Sequence, residues 1–253
     1  TVETGEGGNG GTRDVVFASS AGSTTPVAGT ITHDAVSDID TLSDLGMTGR
    51  IDVSIPNFET GFLMVGLGSD ADTFRVKSLG SKLVAEIYAR GGNDILDVRN
   101  DADSLVEISG IVAFHGGQGS NDTLNIYGDA TAAADPVTGV DPDQLTAIGV
   151  TGLGMGTNPL FSTHERFGAG YDPTMGNAYP AAVYYATRSI TNGVDSFQSD
   201  VETVQVQLGS GDDSFQVDSV NDYTQTHVSG GDGADTLTVG STGTGIQPNS
   251  TGR

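Results

Sequence analysis

Short runs of alternating apolar and polar residues recur along this chain, each following a turn rich in glycine, serine and acidic residues. After the turn "LGSDADT" the apolar residues Phe74 and Val76 alternate with polar ones, and Phe215 and Val217 do so after "LGSGDDS". A period of two residues places the apolar side chains on one face of a β-strand. The same phase predicts further inward-facing side chains after the related turns: Val16, Leu96, Val98, Leu124, Ile126, Leu237 and Val239.

Other apolar runs are also typical of strands, whereas no segment has the pattern of a long amphipathic helix. The most helical stretch, residues 141–149, is long enough for one short turn. The pattern therefore predicts an all-β fold. The additional predicted strands cover residues 50–55, 62–67, 83–89, 105–114 and 201–208.

The acidic turn occurs six times, and its spacing indicates an internal duplication. The turns end at Asp14, Asp72, Asp94, Asp122, Asp213 and Asp235. Asp14 and Asp122 are 108 residues apart, and the sequence "LGM" at 45–47 returns at 153–155 with the same offset. We expect a first repeat unit over residues 1–130, entered partway through a unit. A second unit is expected over residues 131–253, with an insertion at about 157–189.

The interval between related turns suggests how the strands are arranged. Asp72 and Asp94 are 22 residues apart, and so are Asp213 and Asp235. This interval is too long for a tight hairpin and suits one coil of a parallel β-solenoid, that is, a β-helix or β-roll. We predict coils of about 22 residues with Gly/Asp turns stacked on one outer edge. Glycine suits such corners because it adopts positive φ without steric cost.

Charge and composition narrow the range of partners. The 253 residues carry 33 acidic and 10 basic side chains, a net charge of −23, with 38 glycines and no cysteine. Such a charge disfavours binding to nucleic acid or an anionic membrane, and it favours divalent cations or solubility at high salt. No apolar run approaches the roughly 18 residues of a membrane-spanning helix, so no membrane span is expected.

Two of the turns resemble a known calcium-binding motif. The segment "GGDGADTLT" at 230–238 fits the nonapeptide GGxGxDxUx of the RTX (repeats-in-toxin, hemolysin-type) family, and "LGSGDDSFQ" at 208–216 fits with leucine at the first glycine. The longer unit resembles repeat blocks of very large secreted bacterial proteins. The resemblance implies a parallel β-roll or β-helix whose corners bind Ca²⁺ through the motif aspartate and turn carbonyls.

Carried over position by position, the resemblance implies a set of metal ligands in the turns. They are Asp212, Asp213, Asp232 and Asp235, then Asp70 and Asp72, and more weakly Asn93, Asp94, Asn121 and Asp122. Stacked carboxylates would repel one another without a cation. The alternative is that aspartate and asparagine favour these turns because they hydrogen-bond to their own backbone.

The function expected from these features is structural. We expect an extracellular calcium-binding repeat module, a scaffold or adhesin segment of a large secreted or cell-surface protein. A self-assembling fibre, sheath or surface-layer subunit is the alternative. A β-helical polysaccharide-active enzyme with a site near residues 157–189 is less favoured, because none of the four histidines lies in a recognisable catalytic motif. The chain is therefore expected not to be an enzyme, and no catalytic residue is assigned.

The insertion and the two ends of the repeat bear on partners. Residues 157–189 hold four of the seven tyrosines, and we expect a side flap packed on the strands; a binding loop is the other interpretation. Such a flap could be removed without loss of the core. Neither end of the chain shows a capping segment, so neighbouring copies are expected to join head to tail. Cell-surface or matrix polysaccharide is a further candidate partner.

Overall fold

The fold is built from strands alone in the part of the chain that the computed structural model describes. The described residues are 2–3, 14–55, 61–128, 143–158, 179–191 and 194–240. The strands, numbered in chain order, are β1 (Val2–Glu3), β2 (Asp14–Ser19), β3 (Ala28–Asp34), β4 (Ile39–Asp44), β5 (Arg50–Ser54), β6 (Gly61–Gly66), β7 (Thr73–Val76), β8 (Leu83–Tyr88), β9 (Ile95–Val98), β10 (Ile111–His115), β11 (Thr123–Tyr127), β12 (Gln144–Leu145), β13 (Gly149–Thr151), β14 (Thr157–Asn158), β15 (Tyr179–Pro180), β16 (Ala182–Tyr184), β17 (Thr187–Thr191), β18 (Val194–Gln198), β19 (Thr203–Gln207), β20 (Ser214–Val217), β21 (Gln225–Ser229) and β22 (Thr236–Val239). The predicted all-β class is confirmed for these residues.

Two nine-stranded mixed sheets contain most of the strands. Sheet I has the order β1-β5-β4-β3-β7-β9-β11-β19-β21, and sheet II has the order β2-β6-β8-β10-β16-β13-β12-β20-β22. Two short antiparallel pairs, β14–β15 and β17–β18, lie outside these sheets.

From β6 to β11 the chain alternates between the two sheets. Strands β6, β8 and β10 pair in parallel in sheet II, while β7, β9 and β11 pair in parallel in sheet I. Phe74 lies beside Leu96, and Leu96 lies beside Leu124. Strands β19 to β22 alternate in the same way, with Phe215 beside Leu237. The 22-residue interval therefore separates parallel neighbours in register.

Two antiparallel excursions interrupt the parallel pairing. Strands β3, β4 and β5 pair antiparallel in sheet I, and β12, β13 and β16 do so in sheet II. The loops after β4 and β13 share an unusual backbone, with three consecutive left-handed residues centred on Leu45 (φ 51°) and on Leu153 (φ 54°). A leucine at positive φ is strained, so the same strained turn recurs at the 108-residue offset.

The core lies between the inner faces of the two sheets, and the alternation predicted it well. The inward positions Val16, Phe74, Val76, Leu96, Val98, Leu124, Ile126, Phe215 and Val217 are all buried. Their polar neighbours Thr73 and Gln216 are exposed and half-buried. Leu237 and Val239 differ from the prediction, because β22 is the last strand of sheet II and nothing among the described residues covers them.

The expectation that residues 157–189 form a removable flap is wrong for part of that segment. Strand β16 pairs with β10 in parallel and with β13 antiparallel, in the middle of sheet II. Ala181 to Tyr185 are buried, and the Tyr185 hydroxyl donates a hydrogen bond to the Thr146 carbonyl oxygen at 2.6 Å. Residues 159–178 lie outside the described residues.

Candidate functional site

The aspartates of three turns form a continuous ladder of hydrogen bonds from one turn to the next. These turns lead from sheet II into sheet I, along what we call the first edge. The Asp72 N–H donates to Oδ1 of Asp94 at 2.6 Å, and the Asp94 N–H donates to Oδ1 of Asp122 at 2.7 Å. The Asp122 N–H donates to Oε2 of Glu202 at 2.6 Å, and at the other end the Val27 N–H donates to Oδ1 of Asp72. Each carboxylate therefore binds a backbone N–H that comes earlier in the chain.

Glycine makes room for these carboxylates inside the corner. Asp72, Asp94 and Asp122 are at most 1% exposed although they lie in turns. The Gly68 N–H donates to Oδ2 of Asp72 at 2.7 Å, and a Cβ added at Gly119 would lie 2.5 Å from Oδ2 of Asp122. A larger side chain at Gly119 would therefore displace the Asp122 carboxylate.

Within the described residues, three oxygens of the turn aspartates have no hydrogen-bond partner. They are the Oδ2 atoms of Asp94, Asp122 and Asp213, all buried. Burial, followed by the repulsion of neighbouring carboxylates, raises the pKa of all three side chains, and the pKa of Asp94 rises to about 7. A buried carboxylate oxygen without a donor is unfavourable when ionised, so each of these atoms favours either a proton or a cation.

The turns of the second unit lie on the opposite edge, where the chain passes from sheet I into sheet II. The Asp213 N–H donates to Oδ1 of Asp235 at 3.1 Å, and the Ala234 N–H donates to Oδ1 of Asp212 at 2.8 Å. This second edge repeats the ladder in a more exposed setting, and the Asp232 backbone pairs with the preceding turn. The prediction that all turns stack on one edge is wrong, because the excursions exchange the sheets between units.

The remaining predicted ligands lie beside the ladder. Asn93 Oδ1 accepts a hydrogen bond from the Ser120 N–H at 3.3 Å, and Asn121 is exposed on the surface of its turn. Asp70 is half-buried, and its carbonyl oxygen packs against Gly92. The structure therefore brings together Asp72, Asp94 and Asp122, but it does not bring their asparagine neighbours or Asp70 into the same row.

Glu202 is a member of the first-edge ladder that the sequence did not reveal. It occupies the position of an aspartate, and its Oε2 accepts the Asp122 N–H. Its local sequence "DVETV" lacks the glycine-rich turn that identified the other members. The one indication in the sequence is that Glu202 directly precedes a predicted strand, as the turn aspartates do. Its side chain has one more methylene group than aspartate and still reaches the corresponding N–H.

Two backbone carbonyl oxygens lie near the Asp122 carboxylate. The Gly92 carbonyl oxygen lies beside the vacant Cβ position of Gly119, and the Asp200 carbonyl oxygen lies beside that of Gly116. Both positions are also next to the Asp122 carboxylate. Calcium takes six to eight oxygen ligands, including carbonyls and water. Unpartnered Oδ2 and nearby carbonyls fit this preference.

Other observations limit the metal hypothesis. Among the described residues, no three His, Cys, Asp or Glu side chains are grouped so that they could hold a metal ion. Both oxygens of Asp72 already accept N–H hydrogen bonds. Asp94 and Asp122 on the first edge, and Asp213 on the second, therefore fit a cation better than Asp72 does. Carbonyl oxygens or water would supply most of the ligands at either edge.

A separate buried polar cluster joins β3, β4 and the turn before β8. His33 Nδ1 lies 3.2 Å from Oδ1 of Asp40, which is buried and also accepts the Gly80 N–H at 2.9 Å. The Asp40 carboxylate beside the ring raises the pKa of His33, against the opposing effect of burial. Lys82 pairs with Asp38 beside it. This cluster links the antiparallel excursion to the turn before β8.

A cleft of about 380 Å³ opens beside the first edge. It is lined by His115, Ala186, Gln198, Ser199, Asp200 and Tyr223. The His115 ring stacks on Tyr88 with the ring centroids 4.5 Å apart, and Tyr223 is 68% exposed. The cleft therefore combines aromatic surface with amide and carboxylate groups.

The chain matches no family model, no curated protein and no solved structure. Within the described residues there is no helix of the length and hydropathy needed to cross a membrane.

Proposed function

We propose that the chain is a structural repeat module of a secreted or cell-surface protein, folded as a β-solenoid that serves as a scaffold or adhesin segment. The alternation of successive strands between two sheets, with parallel neighbours in register, supports the solenoid. The resemblance of the turns to RTX repeats supports the extracellular setting.

The carboxylate ladder is the observation that carries this proposal. Each of its carboxylates accepts a hydrogen bond from a backbone N–H of the preceding turn, which is a structural use of acidic residues. Hydrogen bonds to a charged acceptor each contribute about 1.5–3 kcal/mol. The repeated turn thus stabilises stacking between coils.

Calcium is the cofactor proposed for the unpartnered oxygens. Cations bound at these Oδ2 atoms, on the first edge for Asp94 and Asp122 and on the second for Asp213, would offset the cost of burying the carboxylate charges. The chain has only 10 basic side chains to serve the same purpose. Asp122 is the most favourable position because backbone carbonyl oxygens lie nearby. Asp212, Asp232 and Asp235 would contribute at the exposed second edge.

Thermal unfolding of the full chain tests the proposal. A ligand that binds only the folded state stabilises it by RT ln(1 + [L]/Kd), so millimolar calcium should raise the melting temperature above that in chelator. Magnesium should have a smaller effect because it demands a tighter octahedral shell. Asp122→Asn should reduce the calcium effect, and Asp222→Asn, an exposed control, should not. Identical melting in chelator and calcium would refute calcium as the cofactor.

A fibre, sheath or surface-layer subunit is the alternative within the same structural class. The uncovered apolar side chains of β22 favour it, because an open solenoid end promotes assembly. Polymerisation on addition of calcium would favour the fibre, whereas stabilisation without polymerisation would favour the scaffold.

A polysaccharide partner is proposed for the cleft beside the first edge. Exposed Tyr223 and the stacked His115 offer aromatic surface to a sugar ring, and Gln198 and Asp200 offer hydrogen-bonding groups to its hydroxyls. The net charge of −23 favours neutral over anionic saccharides. Titration calorimetry with neutral oligosaccharides should show binding that Tyr223→Ala abolishes and Val220→Ala, a second exposed position, preserves. Absence of heat with every neutral oligosaccharide would refute this use of the cleft.

A further inference from the structure

The last strand of sheet II leaves large apolar side chains uncovered. Leu237 of β22 lies beside Phe215, and Val239 lies beside Val217. Phe215 and Val217 are buried, whereas Leu237 is 49% and Val239 is 74% exposed. The end of the molecule formed by β21 and β22, here called the tail end, therefore carries an apolar surface on the inner face of the sheet.

The chain already contains an example of how such a surface is covered. Strand β9 follows the turn at Asp94 as β22 follows the turn at Asp235, so Leu96 and Val98 match Leu237 and Val239. Leu96 and Val98 are fully buried, with Leu124 and Ile126 of β11 beside them. Strand β10, which belongs to the same coil as β11, pairs with β8 and extends sheet II in the same way. The coil made of β10 and β11 thus closes the coil made of β8 and β9.

The opposite end of the molecule carries the sequence equivalent of that closing coil. The 108-residue offset relates Asp14 to Asp122, and thereby β2 to β11 and β1 to β10. Strand β1 is the first strand of sheet I and β21 is its last, while β2 and β22 hold these places in sheet II. Tracing the parallel and antiparallel pairs through each sheet shows that β1 runs parallel to β21 and β2 runs parallel to β22.

We propose that β1 and β2 of a second copy dock on the tail end, with β1 beside β21 and β2 beside β22. The contact would repeat the β8–β10 and β9–β11 pairing that exists inside the chain. It would bury Leu237 and Val239 under the second copy's β2, whose Val16 matches Leu124. This inference rests on the proposed β-solenoid, common to the scaffold and the fibre, and it names a second copy as the partner of the tail end.

The hydrogen-bond ladder supports the same docking direction. The Asp94 N–H donates to Asp122, whereas no acceptor for the equivalent Asp235 N–H is found in the described part of the chain. Residue 14 of an added copy stands at the sequence position of Asp122. Because two different surfaces meet, the contact is heterologous, and its repetition produces an open filament.

Sedimentation velocity of the full chain over micromolar to millimolar concentrations tests the docking. The buffer should contain enough sodium chloride to screen the charge of −23. Wild-type protein should form dimers and longer oligomers as concentration rises. Leu237→Asp should weaken this association at least about tenfold, without lowering the melting temperature of the monomer, because Leu237 is half-exposed there.

Thr238→Asp is the matched control. It adds the same charge one residue away on the other face, at the position where β9 carries Asp97 within a closed stack. It should leave association intact. A wild-type chain that stays monomeric throughout would overturn the proposal, and so would equal effects of the Leu237 and Thr238 substitutions.

Residues 241–253 are the other possible cover for the tail end, and a truncation separates the two. If that segment covered Leu237, deleting it would convert a monomeric full chain into an associating one, which would contradict docking of a second copy. Under the proposal both lengths associate. Repeating the measurement in chelator separates this inference from the calcium proposal, because strand docking needs no cation and should persist there.

Discussion

Replacing Asp94 with asparagine tests the hydrogen-bond ladder without the negative charge of this carboxylate. Asparagine keeps an oxygen that accepts the Asp72 N–H, a hydrogen bond of 2.6 Å in the native protein. It replaces the buried, unpartnered Oδ2 with a neutral amide nitrogen. The substitution therefore removes the cost of a buried charge and retains the hydrogen bond from the Asp72 N–H.

The magnitude follows from the pKa of Asp94. Burial first, and neighbouring carboxylates second, raise this pKa from its ordinary 3.8 to about 7, which corresponds to about 4 kcal/mol of destabilisation at pH 8 in the absence of a cation. Exchanging a charged for a neutral acceptor loses about 1–2 kcal/mol. The amide nitrogen that replaces Oδ2 brings two further N–H donors into the buried site, at a cost of about 1–3 kcal/mol. In chelator at pH 8, Asp94→Asn should therefore stabilise the fold by at most about 2 kcal/mol.

The dependence on pH has a definite sign. Between the unfolded and folded pKa values the folded state holds more protons, so wild-type stability falls as the pH rises from about 4 to about 7. The advantage of the asparagine variant should grow over this window and stay constant above it. Urea unfolding across the pH range measures it, with Asp94→Ala as control. Alanine leaves the Asp72 N–H unsatisfied and should gain less than asparagine at every pH.

Calcium should reverse the result. A cation beside Oδ2 would relieve the wild type but not the variant, so the advantage of Asp94→Asn should shrink or change sign in excess calcium. A variant that is less stable than wild type at pH 8 in chelator, by more than the hydrogen-bond difference, would refute the assignment of Asp94 as a buried, charge-burdened residue.

Three further predictions concern the core and the other polar clusters. Phe74→Ala should cost about 3–5 kcal/mol in a denaturant titration because the ring is fully buried, whereas exposed Thr73→Ala should cost little; equal costs would contradict the facing of β7. Because Asp40 raises the pKa of His33, its pairing stabilises the fold below about pH 6.5 and this contribution is lost as the pH rises through the folded pKa; a His33→Gln variant should lack that slope, and parallel stability curves would argue against the pair. Tyr185→Phe should cost about 1–2 kcal/mol by calorimetry, since it removes a buried donor, and an unchanged melting temperature would show that this hydroxyl is not essential.

The spacing of the turns and strands could be predicted from the sequence because local geometry determines it. A glycine-rich turn followed by residues with a period of two specifies where a strand starts and which face is apolar. Phe74, Leu96 and Leu124 accordingly form the predicted buried row, with 22- and 28-residue steps between parallel neighbours. The strained turn at "LGM" likewise recurs at the offset read from the sequence.

The parts of the site that were not predicted depend on long-range pairing. Turn motifs do not encode which edge they occupy, and the exchange of sheets by the antiparallel excursions places Asp213 opposite Asp94. Glu202 joins the ladder across 80 residues without a turn motif of its own. The spacing of the repeat assigns the apolar residues of β16 to an insertion and so predicts a flap, but these residues pair with β10 in the core.

A crystal structure of the calcium-soaked protein with anomalous data tests calcium binding by the turn carboxylates most directly. We predict an ion bound to Oδ2 of Asp122 at about 2.3–2.6 Å, with backbone carbonyl oxygens or water completing its shell. The Asp94 N–H should still donate to Oδ1 of Asp122. An intact ladder with no anomalous peak at Asp94, Asp122 or Asp213 would contradict calcium as the partner of these carboxylates and leave them a purely proton- and amide-bonded stack.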